Sequence, residues 1–196
     1  MIVSIHQPNY LPWLGYFNKI SRSDIFVLDR SQYKKFNEIK INYDGWNHKH
    51  LVNIKNFYKK TPFFNLYYDD LENIILKEYD TISDLSTSLI KYFLIQLDID
   101  TEVVLSSTIC KDSNLQGIDK IFYILESFPT DKYLTSDGPG SMRYIKEEDF
   151  KEKNIELVWQ KFHHPTYTQR FGEFKSHLSI IDLLFNYGDE SRGYIK

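Results

Sequence analysis

The chain has 196 residues and 23.5 kDa, with 24 Lys and Arg against 27 Asp and Glu, for a formal net charge of −3. That length predicts a single domain over 1–196, and the charge balance offers no sequence-wide field for nucleic acid or an anionic membrane. Hydrophobic residues at 42% and charged residues at 26% exclude a disordered chain, and the single cysteine, Cys110, excludes an internal disulfide and a CxxC metal site.

In chain order, residues 2–5 read as an apolar strand and 6–12 as a proline-punctuated loop. A short apolar helix is expected over 13–20 and a second strand over 25–28, ending at Asp29. Residues 50–54 alternate with β-branched content and predict a strand. Leu85, Leu89, Tyr92, Phe93 and Gln96 carry helical spacing over 85–97, and 103–105 reads as a buried strand. Leu115, Ile118, Ile121, Phe122 and Leu125 form another helical stripe, stopped by Pro129. Tyr133 and Leu134 lead to a turn at 136–140, a charged helix follows at 146–153, and a strand at 155–159. The last helix, 178–185, has Ser179 near its start and Gly188 just past its end. Strands alternating with helices predict an α/β fold, a mostly parallel sheet covered by helices on both faces. Ligands of such sheets bind beyond the carboxyl ends of the strands, which puts His6 and Asp29 at the expected edge. No window approaches the roughly 18 apolar residues of a membrane span, and the N-terminus lacks a basic leader, so a cytoplasmic protein is expected.

Four segments could carry chemistry. In 6–16 two prolines fix a loop crowded with His6, Gln7, Asn9, Tyr10 and Trp13, where His6 suits acid–base work and the following helix start suits a phosphate. In 28–33, Asp29 could orient His6, hold a hydroxyl or meet an amine, or pair with Arg30 or Lys34, while Gln32 and Tyr33 follow it. In 162–169, Pro165 fixes the direction of His164 ahead of Tyr167 and Gln169. In the last helix Asp182 and Asn186, spaced i and i+4, share a face of an apolar stripe. That carboxylate is either a structural tie or support for a histidine. His48 and His50, on one face of an extended segment, lack a third ligand, and neither a metal nor a cofactor is expected. There is no alanine, and aromatics make up 16%, a skew that an AT-rich coding sequence produces alone; the rings are read first as core.

The run from His6 to Phe17 resembles the opening of the WbqC-like proteins. The resemblance continues through Val27-Leu28-Asp29 with Gln32-Tyr33, then Ser136-Asp137-Gly138 to Tyr144, residues 164–169 and residues 178–186. It departs at Asn37-Glu38, where the family shows Asn-Arg, leaving Lys34, Lys35 and Lys40 as substitute cations. It departs again at Ser-Asp-Gly, where Ser-Gly is commoner. The opening is also distantly nucleotidylyltransferase-like, with aromatic rings in Trp13-Leu14-Gly15-Tyr16 where that group has histidines.

The resemblance implies a place in O-antigen (lipopolysaccharide) and other surface-polysaccharide synthesis. The activity expected is N-acyl or aminoacyl transfer to a nucleotide-linked amino sugar from a thioester donor, free or on a carrier protein. A base is then needed for the amine and donors for the oxyanion. His6 or His164 would serve as base, oriented by Asp29 or Asp182. Gln7, Asn9 and Gln169 would supply amide donors, and Tyr10, Trp13, Gln32, Tyr33, Tyr167 and Asn186 would complete the binding surface. The alternatives are a non-catalytic nucleotide-sugar or carrier-protein binding module, and a hydrolase or nucleotidyl-transfer enzyme that would need Mg²⁺.

Overall fold

A computed structural model describes residues 1–29, 39–111, 115–143 and 145–195. Gln32 and Tyr33, with Arg30, Lys34, Lys35, Asn37, Glu38 and Tyr144, lie outside the described residues. Five strands, β1 (Ile2–His6), β2 (Ile25–Leu28), β3 (Glu102–Leu105), β4 (Lys132–Ser136) and β5 (Glu156–Gln160), form one sheet in the order β3-β2-β1-β4-β5. Every pairing in it is parallel. The chain therefore winds outward from β1 in one direction and then the other. The reversal of order falls between β1 and β4, the place where open α/β sheets part to admit ligands. There the register pairs only Ile2 with Lys132 and Val3 with Tyr133, and the Ser4 hydroxyl donates to the Leu134 carbonyl at 2.9 Å.

Strand alternation builds two cores. Val3, Ile5, Ile25 and Val27 face one side, where α6 (Gly117–Glu126) and α8 (Glu147–Glu152) supply Phe122, Leu125 and Phe150. Phe26 and Leu28 face the other side, against α1 (Leu14–Ser21), α2 (Trp46–Tyr58), α3 (Phe64–Leu76), α4 (Ile82–Gln96) and α9 (Ile180–Tyr187). Two short helices, α5 (Ser106–Ile109) and α7 (Pro139–Met142), follow β3 and β4, and a 3-10 helix (Gly188–Tyr194) follows α9. The turn expected at 136–140 thus opens α7, with Pro139 in its first turn, where a missing N–H costs nothing.

The strand expected over 50–54 is instead the middle of α2, and His48 and His50, two residues apart, do not share its face. The alternation of Val52 and Ile54 suggested extension, but the residues buried are Leu51 and Ile54, three apart on a helix, while Val52 is exposed. The segment ahead of residue 85, left unread in the sequence, holds α3, buried through Phe64, Tyr67, Tyr68, Leu71 and Ile75.

A buried ion pair ties the carboxyl edge together. Asp29, just after β2, meets the ammonium of Lys120 from α6 and accepts from the Ser106 hydroxyl at 3.0 Å. Both charged side chains are buried, where breaking an ion pair is costly. Lys120→Met is expected to cost about 3–5 kcal/mol. Adding Asp29→Asn to it should recover at least ~1 kcal/mol, read in urea unfolding, because the two sites are coupled. Additive losses would contradict a mutual pair.

Candidate functional site

His6 closes β1 on the same face as Ser4, the face covered by α1. Its Nδ1 lies 3.0 Å from the Gln7 carbonyl, which also accepts from the Tyr16 hydroxyl at 3.0 Å, and the His6 and Tyr16 rings meet edge to face at 5.0 Å. A carbonyl only accepts, so Nδ1 carries the proton of the neutral ring and Nε2 holds the lone pair. Burial, helped by the Lys19 ammonium, pushes the His6 imidazole down to about 3. Lys19 lies on α1, is 2% exposed, and its Nζ, 5.9 Å from the Phe26 ring centroid, has no hydrogen-bond partner. Burial pushes it down to about 7. The side-chain amides of Gln7 and Asn9 carry no hydrogen bond to the described residues, and the Tyr10 hydroxyl is tied to His50 Nδ1 at 2.9 Å.

Trp13 joins this loop to the one carrying His164. Its indole lies so close over Gly15 that a Cβ there would sit 2.2 Å from the ring, so residue 15 must lack a side chain. The backbone of Trp13 bridges Ser179, and the Ile180 N–H donates to the Pro12 carbonyl at 2.8 Å. The indole stacks on His177 at 4.9 Å and on His164 at 6.2 Å, and meets Phe162 edge to face at 5.7 Å. His164 Nδ1 lies 2.8 Å from the Pro165 carbonyl, the same arrangement as in His6, while its Nε2 is buried without a partner. The two loops therefore meet, but at Trp13. The imidazoles of His6 and His164 belong to separate clusters, His6 with Tyr16 and Lys19, His164 with Trp13, Tyr167, Phe174 and His177.

Asp182, in the first turn of α9, is held by three neutral donors. The Tyr58 hydroxyl reaches Oδ1 at 3.0 Å, and the Tyr167 hydroxyl and Gln169 Nε2 reach Oδ2 at 2.8 and 2.9 Å. The Asn186 amide bonds the Asp182 carbonyl at 2.7 Å. Burial first, and the carboxylate second, push the Tyr58 and Tyr167 phenols well above their usual range. Gln169 is also bonded both ways to the Lys175 backbone at 2.8 Å, so its amide is fully engaged within the chain. Asp182 thus clamps the loop bearing His164 onto α2 and α9.

Among the described residues two surface hollows stand out. The larger, 560 Å³, lies at the opposite, amino edge of the sheet, between residues 21–24 and 97–101. The smaller, 230 Å³, is lined by Gln169 and Asn186 with Lys60, Thr61, Arg170 and Tyr187. Neither is lined by either imidazole of interest. Among the described residues no group of three His, Cys, Asp or Glu is arranged to hold a metal. No described helix is long and apolar enough to cross a membrane. Sequence reasoning missed Lys19 and Lys120, although each is a charge inside an apolar helical stripe, the signal that singled out Asp182. His177, Lys60 and Arg170 gave no such signal.

The model of the WbqC-like protein family matches residues 7–37 and 28–194, nearly the whole chain. The chain belongs to the WbqC-like family. Among curated proteins, this WbqC-like chain is similar to the uncharacterized protein Rv1507c of Mycobacterium tuberculosis (strain ATCC 25618 / H37Rv). The two are 26% identical over 230 residues, covering 99% of this chain and 97% of the relative. No solved structure matches the WbqC-like chain at a significant level.

Two outcomes follow from this geometry. Asp182→Ala leaves two phenols and an amide without their acceptor and is expected to cost about 3–5 kcal/mol, a fall of roughly 10 °C in Tm, with Asp182→Asn costing less. A loss under about 1 kcal/mol in thermal melts would contradict the clamp. The second outcome concerns pH. Both His6 and Lys19 are depressed, from 6.5 to about 3 and from 10.5 to about 7, so the fold excludes protons that the unfolded chain binds. Stability is therefore lost as pH falls from 10.5 toward 7 through Lys19, and again from 6.5 toward 3 through His6. Tyr133, raised by burial to about 12, acts oppositely, its contribution being lost only as pH climbs past 10. Unfolding free energy should rise between pH 7 and 9.5, and Lys19→Met should both flatten that rise and stabilise the protein at pH 7. An unchanged slope in the variant would refute this.

Proposed function

We propose that the protein transfers an acyl or aminoacyl group from a thioester to the amine of a nucleotide-linked amino sugar, with His164 as the base. The observation that carries this reading is the imidazole fixed by the Pro165 carbonyl at 2.8 Å, whose buried Nε2 has no hydrogen-bond partner among the described residues. An amine attacking the thioester carbonyl must lose a proton, and a neutral imidazole presenting a free lone pair is built to take it. The new C–N bond forms, the C–S bond breaks, and the departing thiolate receives the proton that His164 has taken. The substrate enters from the solvent side of the cluster, where His177 is the exposed member. Asp182 acts as a positioning residue through Tyr167, whose ring stacks on His164 at 6.2 Å. The unengaged amides of Gln7 and Asn9 are the available oxyanion donors, Gln169 being committed to the fold. The family's resemblance-based link to surface-polysaccharide synthesis supports the amino-sugar acceptor.

One observation favours a binding module instead: the carboxylates Asp29 and Asp182 both accept hydrogen bonds from the chain's own donors. Incubation with dTDP- and UDP-amino sugars and acyl or aminoacyl thioesters, followed by mass spectrometry, separates the two readings. Acyl mass should appear on the sugar, and His164→Ala should lower its rate by roughly 10²–10⁴. Saturable sugar-nucleotide binding that survives His164→Ala without turnover would establish the module. Neither binding nor acyl mass with any combination would end both readings.

A further inference from the structure

We propose that the 230 Å³ hollow beside the end of α2 binds a phosphoryl group, with Lys60 and Arg170 as its cations. Four observations carry the assignment. The first is charge: Lys60 and Arg170 line the same concavity, no acidic side chain lines it, and neither cation has a carboxylate partner among the described residues. The second is an orphan donor, for Arg170 Nε is buried and bonded to nothing. Its guanidinium lies 4.9 Å from the Phe171 ring centroid, which holds the planar fork in place without neutralising it. A buried guanidinium N–H without an acceptor is costly unless a ligand supplies one, and the fork geometry of arginine matches a phosphate in two-point fashion.

The third observation is that the lining supplies donors beyond the two cations. Three of the helix-end carbonyls nearby are already taken. The Tyr58 carbonyl accepts from Thr61 N and its hydroxyl at 2.8 and 2.7 Å, the Phe185 carbonyl from Phe63 N at 3.0 Å, and the Asp182 carbonyl from Asn186 at 2.7 Å. The Asn186 amide has a second N–H beyond the one given to the Asp182 carbonyl. The fourth is size. At 230 Å³ the hollow falls below the ~300–1,000 Å³ of pockets that enclose drug-sized ligands, which suits a compact polyanion. It adjoins the Gln169–Asp182–Tyr167 clamp, so an anion seated there lies next to the loop that carries His164.

The inference goes beyond acyl transfer and stands apart from it. Titration calorimetry of the whole chain at low ionic strength, with inorganic pyrophosphate, UDP and uridine, tests it. Pyrophosphate and UDP should bind and uridine should not. Arg170→Ala and Lys60→Ala should each weaken binding at least tenfold with Tm unchanged, and Arg170→Lys should lose part of that. Equal affinity for pyrophosphate and UDP identifies a free-phosphate site, and tighter UDP binding identifies one carried on a nucleotide. Absence of binding by both anions, equal binding of uridine, or unaltered binding in a Lys60→Ala/Arg170→Ala double variant overturns the proposal. Binding that depends on Arg170 without any acyl transfer leaves the site standing and removes only the transfer reading; turnover without anion binding does the reverse.

Discussion

Parallel pairing is the constraint from which the rest of this molecule follows. A strand hydrogen-bonded parallel to its neighbour must return over a face of the sheet before the next begins, so each strand delivers its carboxyl end to the same edge. Five parallel strands therefore set His6, Asp29, Ser106, Ser136 and Gln160 or the residues after them along one rim. Polar groups gathered there without water must satisfy one another, and they do. Asp29 meets Lys120 and Ser106, and Gln160 Nε2 reaches the Gly15 carbonyl at 2.8 Å and Asn18 Oδ1 at 2.9 Å. Two nitrogens, the Lys19 amine and His164 Nε2, are buried without a hydrogen-bond partner among the described residues.

The two loops that matter are held by different physics. The first is fixed by shape: prolines on either side, and an indole that fits over Gly15 because there is no side chain to meet it. The second, from Gln160 to Ser179, has no regular structure and is fixed by a charge, the Asp182 carboxylate, which gathers Tyr58, Tyr167 and Gln169. Charge-assisted hydrogen bonds in a buried setting are among the stronger local ties available to an irregular segment. The stacked Trp13, His164 and His177 rings lie where those two restraints meet.

Much of this was legible in the sequence wherever one local signal decided the outcome. Short apolar runs closed by a polar residue, His6 or Asp29, marked β1 and β2. Ser179 and Gly188 bracketed α9 because one caps the helix N–H groups and the other accepts the positive φ of 55° at its end. Residues 50–54 were misread because a β-branched pair two apart mimics a strand, whereas burial against α3 and the core is a property of partners far away in the chain. The role of Asp182 was half visible, as a carboxylate in an apolar stripe, but its donors come from residues 58, 167 and 169 and no spacing announces them. The hollow was invisible for the same reason, since it joins residues 60–62 to 168–170 and 186–187.

The short register between β1 and β4 has a mechanical meaning. Two register pairs, the Ser4 hydroxyl and the Met1 carbonyl, which accepts from Asp131 N and Lys132 N, join the three-strand half of the sheet to the two-strand half at the line where the winding reverses. A sheet so joined has a seam, and thermal opening concentrates where the fewest cross-links must break at once. The amide protons flanking that seam would exchange with solvent ahead of those between β4 and β5, whose ladder runs unbroken from Lys132 with Glu156 to Ser136 with Gln160. The shorter ladder thus marks the line along which the two halves of the sheet would part first.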